Sequence, residues 1–146
     1  MARFSLLGEH AGVWLAIGAA GAALDSRRRR QWRRAMVTVA GVNALNSAIK
    51  PIVGRRRPQL PGLPALTGTP TALSFPSAHA STSFAGALVY SRLGLPALPL
   101  YALATGLALS RLYLGVHYPS DVLAGAALGA AVGATRRPAS SHAATP

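Results

Sequence analysis

Residues 122–135 read VLAGAALGAAVGAT, fourteen positions without a charge and with Gly125, Gly129 and Gly133 four residues apart. Alanine, leucine and valine give the run helical composition, and the spacing sets the three glycines on one side of that helix. Small residues at this interval let helices approach closely in lipid. Working outward, uncharged runs of the same kind occupy 11–24, 35–49, 80–91 and 93–110. None reaches the roughly 20 apolar residues that span a bilayer core, so by length alone a soluble bundle of buried helices competes. Against it, the five runs carry no faces rich in Glu and Lys that could meet water. The expectation is an all-α, integral membrane bundle of five or six transmembrane helices whose arginine flanks snorkel to the interface. Residues 1–137 would form one membrane-embedded domain.

Composition agrees. The chain has 146 residues, 15 basic and 3 acidic, a net charge of +12, and only 12% charged residues, against about 25% in a soluble domain. Disordered acidic chains are excluded, and 51% apolar residues leave little polar surface for a small soluble body. With no cysteine there is no disulfide framework, no thiolate zinc site and no cysteine nucleophile. A basic excess can mark nucleic-acid binding, but the positions argue against that partner. Six of the fifteen cations lie in 27–34, two are Arg136 and Arg137, and most others edge the apolar runs, as membrane topology signals do. Fourteen of the fifteen are arginine, which with the abundant alanine and glycine suggests a GC-rich bacterial genome.

Alternating the segments makes 27–34 cytoplasmic, with Arg92, Arg136 and Arg137. It places Lys50, Arg55, Arg56, Arg57, Arg111 and His117 outside. With Arg3 counted outside and His117 left out, the split of lysines and arginines is nine inside to six outside, a modest positive-inside bias. The protein is therefore expected in the cell membrane, multi-pass, with its reactive groups extracytoplasmic. A cleaved signal peptide fits poorly, because Glu9 precedes the first apolar run and arginines follow it. The stretch 51–76 holds Pro51, Pro58, Pro61, Pro64, Pro70 and Pro76 and reads as an extramembrane loop. The tail 138–146 reads as disordered. The Gly125, Gly129 and Gly133 face is a candidate surface for a homo-oligomer.

Three short motifs follow one another on the side expected to be outer. Lys50 is followed after six residues by Arg57-Pro58. Pro76-Ser77-Ala78-His79 opens the third apolar run. Ser110-Arg111 is followed after five residues by His117, and three residues later by Asp121. Together they resemble the signature of the type 2 phosphatidic acid phosphatase superfamily, the lipid phosphate phosphatases: K-x6-R-P, P-S-G-H and S-R-x5-H-x3-D. The first and third match throughout, and the second at three of four positions, over half the chain. The resemblance implies that His117 attacks phosphorus and forms a phosphohistidine, that His79 protonates the leaving alcohol, and that Lys50, Arg57, Ser77, the Ala78 amide and Arg111 hold the phosphoryl oxygens. It implies no metal and no cofactor. Small bacterial members resemble isoprenoid phosphatases, including those acting on polyprenyl diphosphates and decaprenyl-phosphoryl-ribose phosphate. Phosphatidylglycerophosphate and phosphatidic acid are the alternative lipid substrates.

The residue types suit that chemistry. Arginine forks pair phosphate oxygens, and lysine adds a point charge; interfacial snorkelling is the bland reading of the same cations. Arg55 and Arg56 lie outside the motif positions and read as headgroup contacts. Ser77 at a helix start can cap backbone N–H groups or turn its hydroxyl to an anion at that terminus. Ala78 replaces the usual glycine: alanine serves if φ there is negative and costs about 1 kcal/mol or more if it is positive. Asp121 in the first turn of the last helix can reach back to a His117 N–H and fix the tautomer that attacks; a simple helix-dipole acid is the alternative. His79 needs the opposite, protonated state, while His10 and His142 have no such company. No carboxylate cluster invites magnesium. A non-catalytic phospholipid-binding membrane protein remains the reading from another class, and it leaves His79, His117 and Asp121 without a purpose.

Overall fold

The computed structural model describes residues 8, 11–59, 68–69 and 71–135, and the expected tail at 138–146 lies outside them. Among the described residues there are five α-helices: α1 Gly12–Leu24, α2 Arg29–Val53, α3 Ala78–Ser91, α4 Ala97–Tyr113 and α5 Pro119–Ala134. Each coincides with one of the uncharged runs. At both ends α2 outgrows its run. It begins within the arginine cluster, since arginine is a good helix former, and it continues through Pro51 to Val53. The loop expected from Pro51 therefore begins at Gly54, whose φ of 66° and N–H bond to Lys50 O (2.9 Å) end the helix. Pro51 removes the N–H that would bond the carbonyl of Ser47, yet the helix runs two residues further.

Helix α3 is the centre of the bundle and packs against α2, α4 and α5, while α1 lies on α2. Its buried set, from Ala80 through Ser81, Thr82, Ser83, Ala85, Gly86 and Ala87 to Tyr90, goes round the helix, as expected of one enclosed by neighbours. The glycine stripe of α5 faces it. A Cβ on Gly125 would strike Ser77 O, and one on Gly129 would strike Ser81 O. The stripe is thus filled by α3 of the same chain, which corrects the expectation that it pairs copies. A second core joins α1, α2 and α3, where Trp32 and Tyr90 stack at 5.7 Å, Tyr90 donates to Trp14 O (2.8 Å) and Trp14 donates to Ser83 Oγ (3.0 Å).

Large apolar side chains also point outward, with Ile52 82%, Leu98 83% and Leu123 71% exposed. By length and composition one helical stretch, Ser26–Val53, can cross a membrane; Gly12–Leu24 and Pro119–Ala134 are shorter apolar helices. At one end of the bundle Arg28 donates to Leu93 O (2.9 Å) and Arg92 to Gly133 O (3.0 Å). The three motifs occupy the other end.

Candidate active site

The site grows from four helix termini. In the last turns of α2, Asn46 and Lys50 stand four residues apart and so share a face. Lys50 Nζ donates to Pro76 O (3.0 Å) and Leu73 O (3.4 Å), and Asn46 Nδ2 donates to Pro76 O (3.3 Å) and Ser81 Oγ (2.9 Å). This fixes the entry to α3. Ser77 is its cap: Oγ accepts from Ala80 N–H at 3.5 Å, and the Ser77 N–H donates to Asp121 O at 3.0 Å. That last bond ties the starts of α3 and α5 together. Ala78 is the first residue of α3, and Ala11 is the one described non-glycine residue with positive φ. The departure from the motif's glycine therefore carries no backbone strain.

The loop between α2 and α3 folds back on itself. Arg56 and Leu73 form an isolated antiparallel bridge, with Ser74 N–H donating to Arg55 O (2.8 Å) and Arg57 N–H to Ala72 O (3.2 Å). Arg57 is thereby delivered to the start of α5. Its Nε donates to Thr71 O (2.9 Å), and its Nη1 donates to Val116 O (2.8 Å) and lies 3.2 Å from His117 Nε2. Arginine has donors and no acceptor, so Nε2 carries the lone pair and the ring proton sits on Nδ1. On that side Asp121 Oδ2 is 3.5 Å away. The imidazole is buried. Burial first, then the charges of Arg57, Lys50 and Arg111, hold its pKa well below the usual histidine value, with Asp121 opposing in part. The ring is therefore neutral at physiological pH.

Asp121 is fully buried and is held through both oxygens. Oδ2 also accepts the Tyr118 N–H (2.9 Å), closing the first turn of α5. Oδ1 accepts from Arg55 Nη1 (2.9 Å), which also donates to Ser120 Oγ (2.7 Å). The Arg55 guanidinium lies over the Phe75 and Tyr118 rings, 5.5 and 5.4 Å from their centroids. Arg55 is thus the counter-ion of Asp121, which corrects its reading as a headgroup contact. The sequence offers little signal for this, because the two partners are 66 residues apart.

Of the expected residues, Lys50, Arg57, Ser77, Ala78, His117 and Asp121 converge at this end. Arg111, buried near the end of α4, joins them electrically through its charge on His117. Its carbonyl accepts the Val116 N–H (3.2 Å), which curls the chain towards His117. His79, in the first turn of α3, lays its ring against Gly8 and needs that residue bare, since a Cβ there would meet His79 Cδ2 at 2.6 Å. Among the described residues no group of three His, Asp or Glu forms a metal cluster. Such a geometry presents a neutral, oriented imidazole among cations, suited to displacement at an anionic centre.

Known proteins are similar to the chain as a whole. The model of the PAP2 superfamily matches residues 31–141. Decaprenylphosphoryl-5-phosphoribose phosphatase of Mycobacterium tuberculosis is 48% identical over 131 residues, covering 89% of this chain and 73% of that protein. The protein of the same name from Mycolicibacterium smegmatis is 45% identical over 122 residues, 83% of this chain and 67% of its own. A transmembrane PAP2 type phosphatidylglycerolphosphate phosphatase from Bacillus subtilis shares the fold, with a TM-score of 0.70 at 22% identity, covering 91% of this chain and 71% of that one.

Proposed function

The chain belongs to the PAP2 superfamily, and on that footing we propose that it is a membrane-embedded phosphatase acting on an isoprenoid lipid, with a polyprenylphosphoryl phosphoribose as the substrate class. The mycobacterial relatives support the lipid. The observation that carries the chemistry is His117, with its Nε2 lone pair directed to Arg57 and its Nδ1 towards Asp121.

The monoester phosphate enters among Lys50, Arg57 and Arg111, with the Ser77 hydroxyl and the Ala78 N–H at the start of α3 completing the cup. The anion draws the Arg57 guanidinium onto its oxygens, a charge-assisted pairing stronger than the contact with a neutral ring. Nε2 then attacks phosphorus in line. The P–N bond forms as the P–O ester bond breaks, and the leaving alkoxide takes a proton from the His79 imidazolium. Water next attacks the phosphohistidine. His79, now neutral, accepts its proton, the P–N electron pair returns to Nε2, and inorganic phosphate leaves. Positioning and charge stabilisation supply the rate. All five helices cross the bilayer in this reading, and the cup opens on the extracytoplasmic side.

Purified protein in detergent is expected to release phosphate from polyprenylphosphoryl 5-phosphoribose with a chelator present, and His117→Ala is expected to abolish the release. Turnover surviving in that variant would overturn the nucleophile assignment. Absence of release from any isoprenoid phosphate would overturn the proposed activity.

A further inference from the structure

Beside the cup lies a cavity of about 450 Å³ lined by Arg55, Arg56, Tyr118 and Ser120. Its walls are chain neighbours of the reactive groups on both sides. Arg56 precedes Arg57, whose Nη1 meets His117, and Tyr118 follows His117. Arg55 of its wall meets Asp121 Oδ1 at 2.9 Å, and Asp121 Oδ2 lies 3.5 Å from His117 Nδ1, so the cavity and the reactive ring are two contacts apart.

The chemistry of the walls is one-sided. Two arginines, a tyrosine and a serine line the cavity, whereas the nearby carboxylate of Asp121 is 0% exposed and already bonded to Arg55 and the Tyr118 N–H. Arg55 is set in place by the Phe75 and Tyr118 rings, by Ser120 Oγ and by Asp121. Ser74 sits beneath, its Oγ within hydrogen-bond reach of the carbonyls of Arg55 (3.3 Å) and Arg56 (3.2 Å). A cation so held loses little freedom when an anion arrives, and arginine matches the paired oxygens of a phosphate. The volume falls in the range of small-molecule sites.

We propose that this cavity is a second anion subsite, which holds the phosphodiester joining sugar to lipid while the monoester reacts at His117. The proposal rests on the phosphoribosyl reading above, since a polyprenylphosphoryl phosphoribose carries two phosphoryl groups on one sugar. A polyprenyl monophosphate carries one. The subsite therefore selects between the two substrate classes, and Arg56, exposed and outside the motif positions, is its adjustable wall.

The test compares kcat/KM for these two lipids in wild type, Arg56→Gln and Arg56→Lys, each in neutral detergent and in vesicles with anionic phospholipid. The expected result is a three- to tenfold fall, of the order given by losing one partly exposed charge contact, in the preference of Arg56→Gln for the phosphoribosyl lipid. It is carried by KM, and Arg56→Lys restores most of it. An unmoved preference overturns the subsite. A loss that is equal for both lipids and confined to anionic vesicles also overturns it, and assigns Arg56 to the phosphodiester of neighbouring lipids. Release from neither lipid by wild type overturns the parent reading and the subsite with it.

Discussion

Asp121 shows how a single residue can be over-determined. One oxygen is fixed by Arg55, the other by the Tyr118 N–H and the facing edge of His117. Removing Arg55 leaves a buried carboxylate without its charge partner. Breaking a buried pair costs about 3–5 kcal/mol, but the Arg55 side chain is 42% exposed, so solvent screening reduces this to about 1–2 kcal/mol. Arg55→Gln is therefore expected to lower thermal stability modestly in a detergent melt. It should cut kcat at least tenfold with little change in KM for a polyprenyl monophosphate, and Arg55→Lys should recover part of the rate. A purely structural role would lower the melting temperature alone. The motif residues were legible because each has a chemistry that its spacing makes interpretable. Arg55 was not, because it stands in a run of three arginines and nothing local distinguishes which one turns inward. The question left at Ala78 had a backbone answer: a residue inside a helix has negative φ, and alanine is at home there.

At the scale of elements, the uncharged runs located every described α-helix, and the misjudged ends have physical reasons. Pro51 costs α2 one i→i−4 bond two residues before its end, so only the last turn is weakened, and α2 starts early because arginine stems do not oppose helix formation. The glycine stripe was recognised as a packing surface while its occupant was not, since an interval of four says that something approaches closely and not whether it belongs to the same chain. The structure makes it the seam between α3 and α5. Gly129→Ala is expected to cost about 1–3 kcal/mol through overpacking against the backbone at Ser81. It should also slow turnover, because the same seam sets the Ser77 to Asp121 bond. Gly41→Ala is the control: a Cβ there meets nothing within 4 Å, so stability is expected to hold or rise, as propensity favours alanine. Equal melting temperatures for the two variants would refute the seam.

Across the whole molecule, the two ends differ in character. One gathers Arg28 and Arg92 onto helix C-terminal carbonyls, and the other gathers the motifs. The absence of cysteine allows the orientation to be read with introduced thiols. In intact cells Gln59→Cys is expected to react with a membrane-impermeant maleimide and Arg30→Cys only after lysis; the reverse pattern would invert the topology. Lys50, Ser77, Arg111 and Asp121 stand on the terminal turns of four different helices. On the proposed assignment, a catalyst assembled from tips in this way would engage only the head of an amphiphile, while the hydrocarbon would stay dissolved alongside the apolar outer walls. Anchor length would then be accommodated by the surrounding oil instead of a fitted tunnel, and clipped, water-soluble analogues would forfeit turnover by failing to partition, their heads being recognised as before.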